Sequence, residues 1–242
     1  MTEKEKVFQY LNRQKSQNFA AIAALSRHGI MQAEFFDEGL LAQAFDRNKG
    51  GGTFFIVHEK PSTLSHFLKK IGSGKEIVVT NYFENEWKDI GLSWNSVCYQ
   101  FVYDNVTPFE KHETEGVTYC ELFEKDFEKA HGIYTLGDAI CLDEFSYDIN
   151  TGFSVAAYEE SGELIGFIGT HGDGSMGMLE VLPQYRRHHI GEELEKRLIT
   201  KIIASQQTPF CHIIEGNEKS MNLQKKLGGT LCENKVAFLE LL

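Results

Sequence analysis

One stretch of the chain, residues 179–194, constrains the fold more than any other. It reads LEVLPQYRRHHIGEEL, an apolar strand that ends at a proline and leads through a basic turn. After Gly191 the apolar residues recur with helical spacing, and most of the remaining positions are charged. The stretch therefore predicts a strand, a turn and an amphipathic helix with one buried face.

The turn of this stretch favours a bound anion for two reasons. The first N–H groups of a helix have no partner within the helix, and the helix dipole adds partial positive charge there. Arg186 and Arg187 add two fixed positive charges at the same point. We predict that the turn cradles a pyrophosphate group.

A second stretch, residues 209–228, strengthens the interpretation of residues 179–194. It reads PFCHIIEGNEKSMNLQKKLG, a strand followed by an Asn-x-x-Ser helix start and by lysine, leucine and glycine at the helix end. In this order and spacing the two stretches resemble the GNAT superfamily of acyl-CoA-dependent N-acyltransferases, especially its glycine N-acyltransferase-like branch. The resemblance covers residues 116–242. Arg186 and Gly191 take the first and last positions of the cofactor signature, whereas His189 stands where a glycine is usual.

The resemblance implies acyl-CoA as the co-substrate, with acetyl-CoA favoured, and no metal. The pantetheine arm is expected to bind the backbone of the strand, and the pyrophosphate to bind the turn and the helix starts. The residues expected to bind the cofactor are Glu180, Val181, Leu182, Arg186, Arg187, His188, His189, Ile190, Gly191, Glu192, Asn217 and Ser220. For Asn217 and Ser220, simple helix capping is an equal alternative.

Acyl transfer to an amine also calls for a base, which in many members of the superfamily is a glutamate. Glu180 is the candidate base, and an exposed strand glutamate is the alternative. His212 is a weaker candidate, while His171 and Asp173 fit a loop role better. The tyrosine that protonates the departing thiolate in many members corresponds to Gln224, whose amide cannot donate a proton in that way.

The whole chain reads as α/β with two lobes. Residues 1–105 form an N-terminal α/β lobe, either a diverged GNAT-like unit or a lobe that shapes the acceptor site. Residues 106–116 are polar, carry Pro108 and form the linker. Residues 117–242 form the acyltransferase domain, whose implied fold is a mixed, mostly antiparallel sheet with flanking helices and a splayed cofactor cleft.

Local patterns place the remaining elements. The predicted helices cover residues 3–27, 35–45, 123–131 and 137–145, with another beginning at Pro61. The predicted strands cover residues 53–57, 76–80, 97–103, 117–122, 153–158, 163–171, 175–181 and 234–242, and a glycine-rich turn covers residues 47–52.

Composition restricts the partners. The net charge of −11 argues against general nucleic-acid binding, because phosphate backbones are held by clustered lysine and arginine. The five cysteines are scattered without CxxC spacing, which favours reduced thiols in a cytoplasmic protein and provides no metal framework. No apolar run approaches the length of about 18 residues that spans a bilayer, so we expect no membrane association. A homodimer stays open.

We therefore expect an N-acyltransferase that moves an acyl group, with acetyl favoured, from CoA to the primary amine of a small molecule. Three alternatives stay open. One is a glycine N-acyltransferase-like activity with a longer acyl donor. The second is a catalytically weak or inactive GNAT domain that senses acyl-CoA or mediates interactions, which His189 and Gln224 favour slightly. The third is an interaction role without a CoA site.

Overall fold

The computed structural model describes residues 1–45, 52–82, 90–137 and 140–242. The helices are α1 (Glu3–Leu11), α2 (Phe19–His28), α3 (Pro61–Leu68), α4 (Phe127–Ile133), α5 (Leu142–Thr151), α6 (Ile190–Ala204) and α7 (Glu218–Lys226). The strands are β1 (Ile30–Phe36), β2 (Gly39–Ala44), β3 (Thr53–Val57), β4 (Glu76–Tyr82), β5 (Leu92–Val102), β6 (Val117–Cys120), β7 (Ser154–Glu159), β8 (Leu164–Thr170), β9 (Met176–Val181), β10 (Phe210–Ile214), β11 (Thr230–Leu231) and β12 (Lys235–Leu241). In the described ranges, no helix combines the length and the apolar character that crossing a membrane requires.

The chain divides into two compact units that are not consecutive in sequence. Unit 1 comprises residues 1–102, 212–221 and 231–242, and unit 2 comprises residues 103–211 and 222–230. The chain therefore changes unit within β10 and again within α7. The predicted domains at 1–105 and 117–242 stay a prediction, since compactness alone does not define a domain.

Unit 1 is built around strands that join both ends of the chain. β1, β2 and β3 are antiparallel neighbours, and β3 pairs in parallel with β4. The last strand, β12, pairs antiparallel with both β4 and β5. The core lies between this sheet and α3, where Phe54, Ile56, Leu64 and Phe67 are buried together.

The predicted helix at residues 35–45 is wrong, because β1 and β2 form a hairpin there. At its tip, Asp37 and Glu38 have φ values of 43° and 62°. Two successive left-handed residues make the tight turn whose twist matches that of paired strands. Every residue of β2 is buried, so its apolar run lacks the alternation that distinguishes a strand from a buried helix.

The other predicted elements are found with shifted ends. The helix expected at 3–27 is divided into α1 and α2, and β5 begins five residues before the predicted Val97. The helices expected at 123–131 and 137–145 correspond to α4 and α5, with residues 138–139 outside the described ranges. The predicted turn at 47–52 also lies outside them, apart from Gly52.

Unit 2 contains the predicted meander. β6, β7, β8 and β9 are antiparallel neighbours, and β10 begins in parallel with β9. Phe145 of α5 is fully buried and makes edge-to-face contacts with Phe127 and Phe167. The predicted fold class, mixed α/β with mostly antiparallel strands and flanking helices, is confirmed. α6 covers the meander with an apolar face on which Leu194, Leu198, Ile199 and Ile202 are buried as the sequence predicts, together with Ile190; the predicted Ile203 is only partly buried.

Candidate functional site

A β-bulge, which the sequence did not predict, shapes the end of β9. The register between β8 and β9 shifts between Phe167 and Gly169, so that two β9 residues, Met178 and Leu179, lie opposite one β8 residue. Met178 has a φ of 56°, an unusual conformation for a residue with a side chain. A bulge of this kind bends the strand and redirects the residues that follow. Glu180 and Val181 come directly after it.

The backbone of Val181 points away from the meander. The N–H of Leu182 donates to the C=O of Ile165 on β8 over 2.9 Å. Because successive residues of a strand direct their backbone groups to opposite edges, the N–H and C=O of Val181 lie on the edge of β9 that faces away from β8. β10 pairs with β9 on that edge through Cys211 and Met176, near the start of both strands. This placement fits the expected role of Val181, which stays a prediction.

The carboxylate of Glu180 is held in place by the loop that follows α4. Its Oε1 accepts a hydrogen bond from the N–H of Thr135 over 2.9 Å and another from the Thr135 hydroxyl. Its Oε2 lies 3.7 Å from a terminal nitrogen of Arg186, and the side chain is only 12% exposed. Burial, followed by the charge of Glu180, raises the pKa of neighbouring Tyr134 to about 12. The carboxylate therefore has one oxygen fixed by the loop and one facing the turn.

The turn after β9 forms with histidine in the place of the usual glycine. Pro183–Tyr185 is a short 3-10 turn, anchored by a hydrogen bond from the Tyr185 hydroxyl to Glu159. Arg187 and His189 then take left-handed conformations, with φ values of 68° and 61°. Histidine tolerates this region better than most residues, although glycine adopts it at less cost. All four residues from Arg186 to His189 are exposed.

The start of α6 presents backbone donors next to this turn. His189 is the N-cap, and none of the described side chains caps the helix there. The N–H groups of the first turn, residues 190–192, are therefore available to a ligand at the positive end of the helix dipole. Glu192 lies in this turn, but it accepts hydrogen bonds from Lys196 over 2.8 Å and from Lys226 over 2.5 Å. These bonds lower the pKa of Glu192 to about 2, and the two cations offset its charge.

Asn217 and Ser220 fit the capping alternative. The side-chain oxygen of Asn217 accepts a hydrogen bond from the N–H of Ser220 over 3.2 Å, at the start of α7. Both residues belong to unit 1, whereas residues 180–192 belong to unit 2. The structure thus gathers the strand end and the turn in one unit, and the predicted cofactor contacts of Asn217 and Ser220 stay a prediction.

Gln224 takes part in a buried polar chain that sequence reasoning missed. Its Oε1 accepts a hydrogen bond from the hydroxyl of Tyr103, and its Nε2 donates to Glu195 Oε1 over 2.6 Å. Glu195 is 3% exposed, and its Oε2 has no hydrogen-bond partner among the described residues. Burial raises the pKa of Glu195 to about 7, although the bond from Gln224 acts in the opposite direction. One signal was available, because Glu195 is spaced three and four residues before the buried Leu198 and Ile199.

The weaker candidates have local partners that suit structural roles. His212 Nε2 lies 3.1 Å from the amide oxygen of Gln100, and its ring packs edge-on against Phe238. Because the Gln100 nitrogen donates elsewhere, to Ser16 O over 2.6 Å, the histidine Nε2 is the donor in this pair. Asp173 accepts hydrogen bonds from the N–H and hydroxyl of Ser175, as expected for a turn residue.

Residues 154–237 match the family model of FR47-like protein. A search of curated protein sequences found no match. A Drosophila protein superposes with a TM-score of 0.66 at 16% identity, over 84% of this chain and 74% of that one. A GCN5-related N-acetyltransferase from Kribbella flavida gives 0.58 at 11% identity, over 93% and 95% of the two chains. Another from Sphaerobacter thermophilus gives 0.56 at 12% identity, over 84% and 76%.

At identities this low, structural likeness establishes the fold and leaves the reaction to be argued from the site. The finer assignment to the glycine N-acyltransferase-like branch stays a prediction. The family match covers β7 to β10, α6 and α7, and includes both stretches that carry the sequence resemblance. The chain thus has the GNAT fold and carries an FR47-like, GNAT-related region at residues 154–237.

Proposed function

We propose that the protein is an acyl-CoA-dependent N-acyltransferase that transfers an acyl group, with acetyl favoured, to the primary amine of a small molecule. The observation that carries this proposal is the junction of β9 and α6. There, the outward-facing backbone of Val181, a basic turn and the uncapped N-terminus of α6 follow one another along the chain. A thioester with a pantetheine arm and a pyrophosphate matches that sequence of groups.

Different residues would bind different parts of the ligand. The backbone of Val181 and its neighbours suits the amide groups of the pantetheine arm, which need main-chain partners rather than particular side chains. The N–H groups of residues 190–192 suit the pyrophosphate, because helix N-termini bind anions through free donors and the helix dipole. Arg186 and Arg187 add charge-assisted hydrogen bonds, which are shorter and stronger than neutral ones.

Glu180 is proposed as the base. Acyl-CoA supplies the activated carbonyl carbon, to which the amine nitrogen forms a bond while the carbon–sulfur bond of the thioester is lost. The cationic amine loses one proton to Glu180, directly or through water, and attacks as the neutral amine. A second proton leaves the nitrogen for solvent as the amide forms, and the departing thiolate takes a proton from solvent. Gln224 supplies no acid proton, and its amide is already bonded to Tyr103 and Glu195. A carboxylate beside the reacting carbon also attracts a cationic amine, which supports an amine as the acceptor.

Titration calorimetry of acetyl-CoA tests the proposal. We expect micromolar binding to the wild type and binding weaker by about tenfold or more in the double variant Arg186→Ala, Arg187→Ala, because two charge-assisted contacts are lost. A second double variant, Lys4→Ala, Lys6→Ala, removes the same charge from α1 and controls for the general effect of net charge. Equal weakening in both double variants, or no binding to the wild type, would refute the assignment of the pyrophosphate to this turn.

The second candidate is a domain that binds acyl-CoA without turnover, which the buried amide of Gln224, bonded to Tyr103 and Glu195, favours. Thiol release from acetyl-CoA across a panel of primary amines separates the two functions. Saturable binding with no thiol release for any amine would support the binding domain, whereas release with one amine would support the transferase.

A further inference from the structure

Arg186 points back along the chain toward β9. Its Nε donates to the C=O of Val181 over 2.8 Å, and one terminal nitrogen lies 3.7 Å from Glu180 Oε2. In the proposed function, the backbone of Val181 binds the pantetheine arm and the carboxylate of Glu180 is the base. Arg186 therefore contacts two groups on β9 that the proposed reaction needs.

The contacts of Arg186 can be exchanged at low cost. Its side chain is 56% exposed, so water screens its interaction with Glu180. The separation of 3.7 Å is longer than a hydrogen bond, and the geometry is not bidentate. A phosphate offers the guanidinium two parallel hydrogen bonds in which both partners are charged, whereas β9 offers it one hydrogen bond, to the C=O of Val181. A pyrophosphate at the start of α6 would thus draw Arg186 away from β9.

We propose that Arg186 is a latch that couples cofactor binding to the release of Glu180, an inference that rests on the proposed function. Before acyl-CoA binds, Arg186 holds the C=O of Val181 and places its positive charge beside Glu180. When the pyrophosphate takes the guanidinium, the C=O becomes available to the pantetheine arm and Glu180 Oε2 loses its neighbouring cation. The carboxylate then attracts the cationic amine, so acyl-CoA binds first and the amine second.

Thr135 determines which oxygen is released. Its N–H and hydroxyl both donate to Glu180 Oε1, and neither contact involves Arg186. The departure of Arg186 therefore leaves Oε1 fixed and exposes Oε2 alone. Thr135 is a positioning residue in this scheme, because it acts on the reaction only through Glu180.

A double-mutant cycle on CoA binding tests the latch without requiring turnover. The four proteins are the wild type, Glu180→Gln, Arg186→Ala and the combined variant, each titrated with CoA. We expect Glu180→Gln to bind CoA about two- to fivefold more tightly than the wild type, because Arg186 no longer has a carboxylate to leave. In the Arg186→Ala background the same substitution should give a clearly smaller gain, because only the general effect of removing a negative charge remains.

The cycle separates the latch from a general charge effect. Removing any negative charge near a polyanion favours its binding, and that contribution persists without Arg186. An equal gain from Glu180→Gln in both backgrounds would therefore overturn the latch. Glu163→Gln makes the same change at an exposed glutamate paired with Lys129 and should leave CoA affinity unchanged. Failure of all four proteins to bind CoA would overturn the proposed function itself, and the latch with it.

Discussion

The first and second turns of α6 each carry a glutamate, and the pKa values of the two are shifted in opposite directions. In the first turn, Glu192 lies near the surface and is neutralised by Lys196 and Lys226, which lower its pKa to about 2. In the second turn, Glu195 is buried and has one hydrogen-bond donor, Gln224, and its pKa rises to about 7. The two glutamates are three residues apart on one helix, so their difference comes from solvent and partners rather than from secondary structure.

This contrast separates the parts of the region that can bind a ligand from the part that supports it. An exposed charge such as Arg186 has water as a competing partner, so it can change partner at small cost. A buried carboxyl has no such choice, and the pKa of Glu195, raised to about 7, keeps it mostly neutral below that pH. The turn is therefore suited to recognition, and the buried chain of Tyr103, Gln224 and Glu195 is suited to fixing α6 against α7.

The largest effect is expected at Glu195. In the unfolded chain its carboxyl ionises near its ordinary value of 4.5, whereas in the folded protein it ionises at about 7. Stability from this group is therefore complete below 4.5 and is lost as the pH rises to about 7, by about 3 kcal/mol in total. Glu195→Gln mimics the neutral acid and should be more stable than the wild type by about that amount at pH 8, but not at pH 4.5.

Urea unfolding at both pH values measures this difference, and the neighbouring glutamate provides the control. Glu192→Gln removes a carboxylate that is ionised in the folded protein at both pH values, so it should destabilise the protein by an amount that changes little between the two. A difference between Glu195→Gln and the wild type that does not change with pH would show that the buried carboxyl is not neutral in the folded protein.

The same contrast explains what the sequence could predict. The turn was accessible because its function depends on local features: a strand end, a proline, two arginines and a helix start within sixteen residues. The buried chain joins Tyr103, Glu195 and Gln224, which lie far apart in sequence, so no local pattern connects them. The bulge at Met178 was equally hidden, because the residue in the left-handed conformation is not glycine. Long-range pairing and strain imposed by neighbours leave no periodic signal.

A second prediction concerns the strand end on which the turn depends. A Cβ added at Gly166 of β8 would lie 2.8 Å from the C=O oxygen of Glu180 and 3.3 Å from Cα of Val181. Both contacts are with backbone, so β9 must move. Gly166→Ala should destabilise the protein by about 1–3 kcal/mol, as overpacking does. It should also weaken CoA binding, if the proposed function is right, because the backbone of Val181 is displaced.

Gly132→Ala is the matched control for this substitution. Gly132 lies in α4, and a Cβ there would meet nothing within 4 Å. Alanine in a helix is more favourable than glycine by about 0.5–1 kcal/mol, so this variant should gain stability. Thermal unfolding and CoA titration of both variants give the two readouts. Unchanged CoA affinity in Gly166→Ala, despite lost stability, would show that the ligand does not depend on the backbone of β9.

The smallest effect is expected at His189, where the turn meets α6. Its φ of 61° is a conformation that costs a residue with a side chain more than it costs glycine. His189→Gly should therefore stabilise the protein by about 0.5–1 kcal/mol, measured by urea unfolding. His189→Ala keeps the Cβ but removes the imidazole, which lies 3.6 Å from Glu192 and is 82% exposed, so it should bring no gain. Equal stabilisation by alanine and glycine would mean that the imidazole, rather than the backbone, is the unfavourable element, and that the turn accepts histidine without strain.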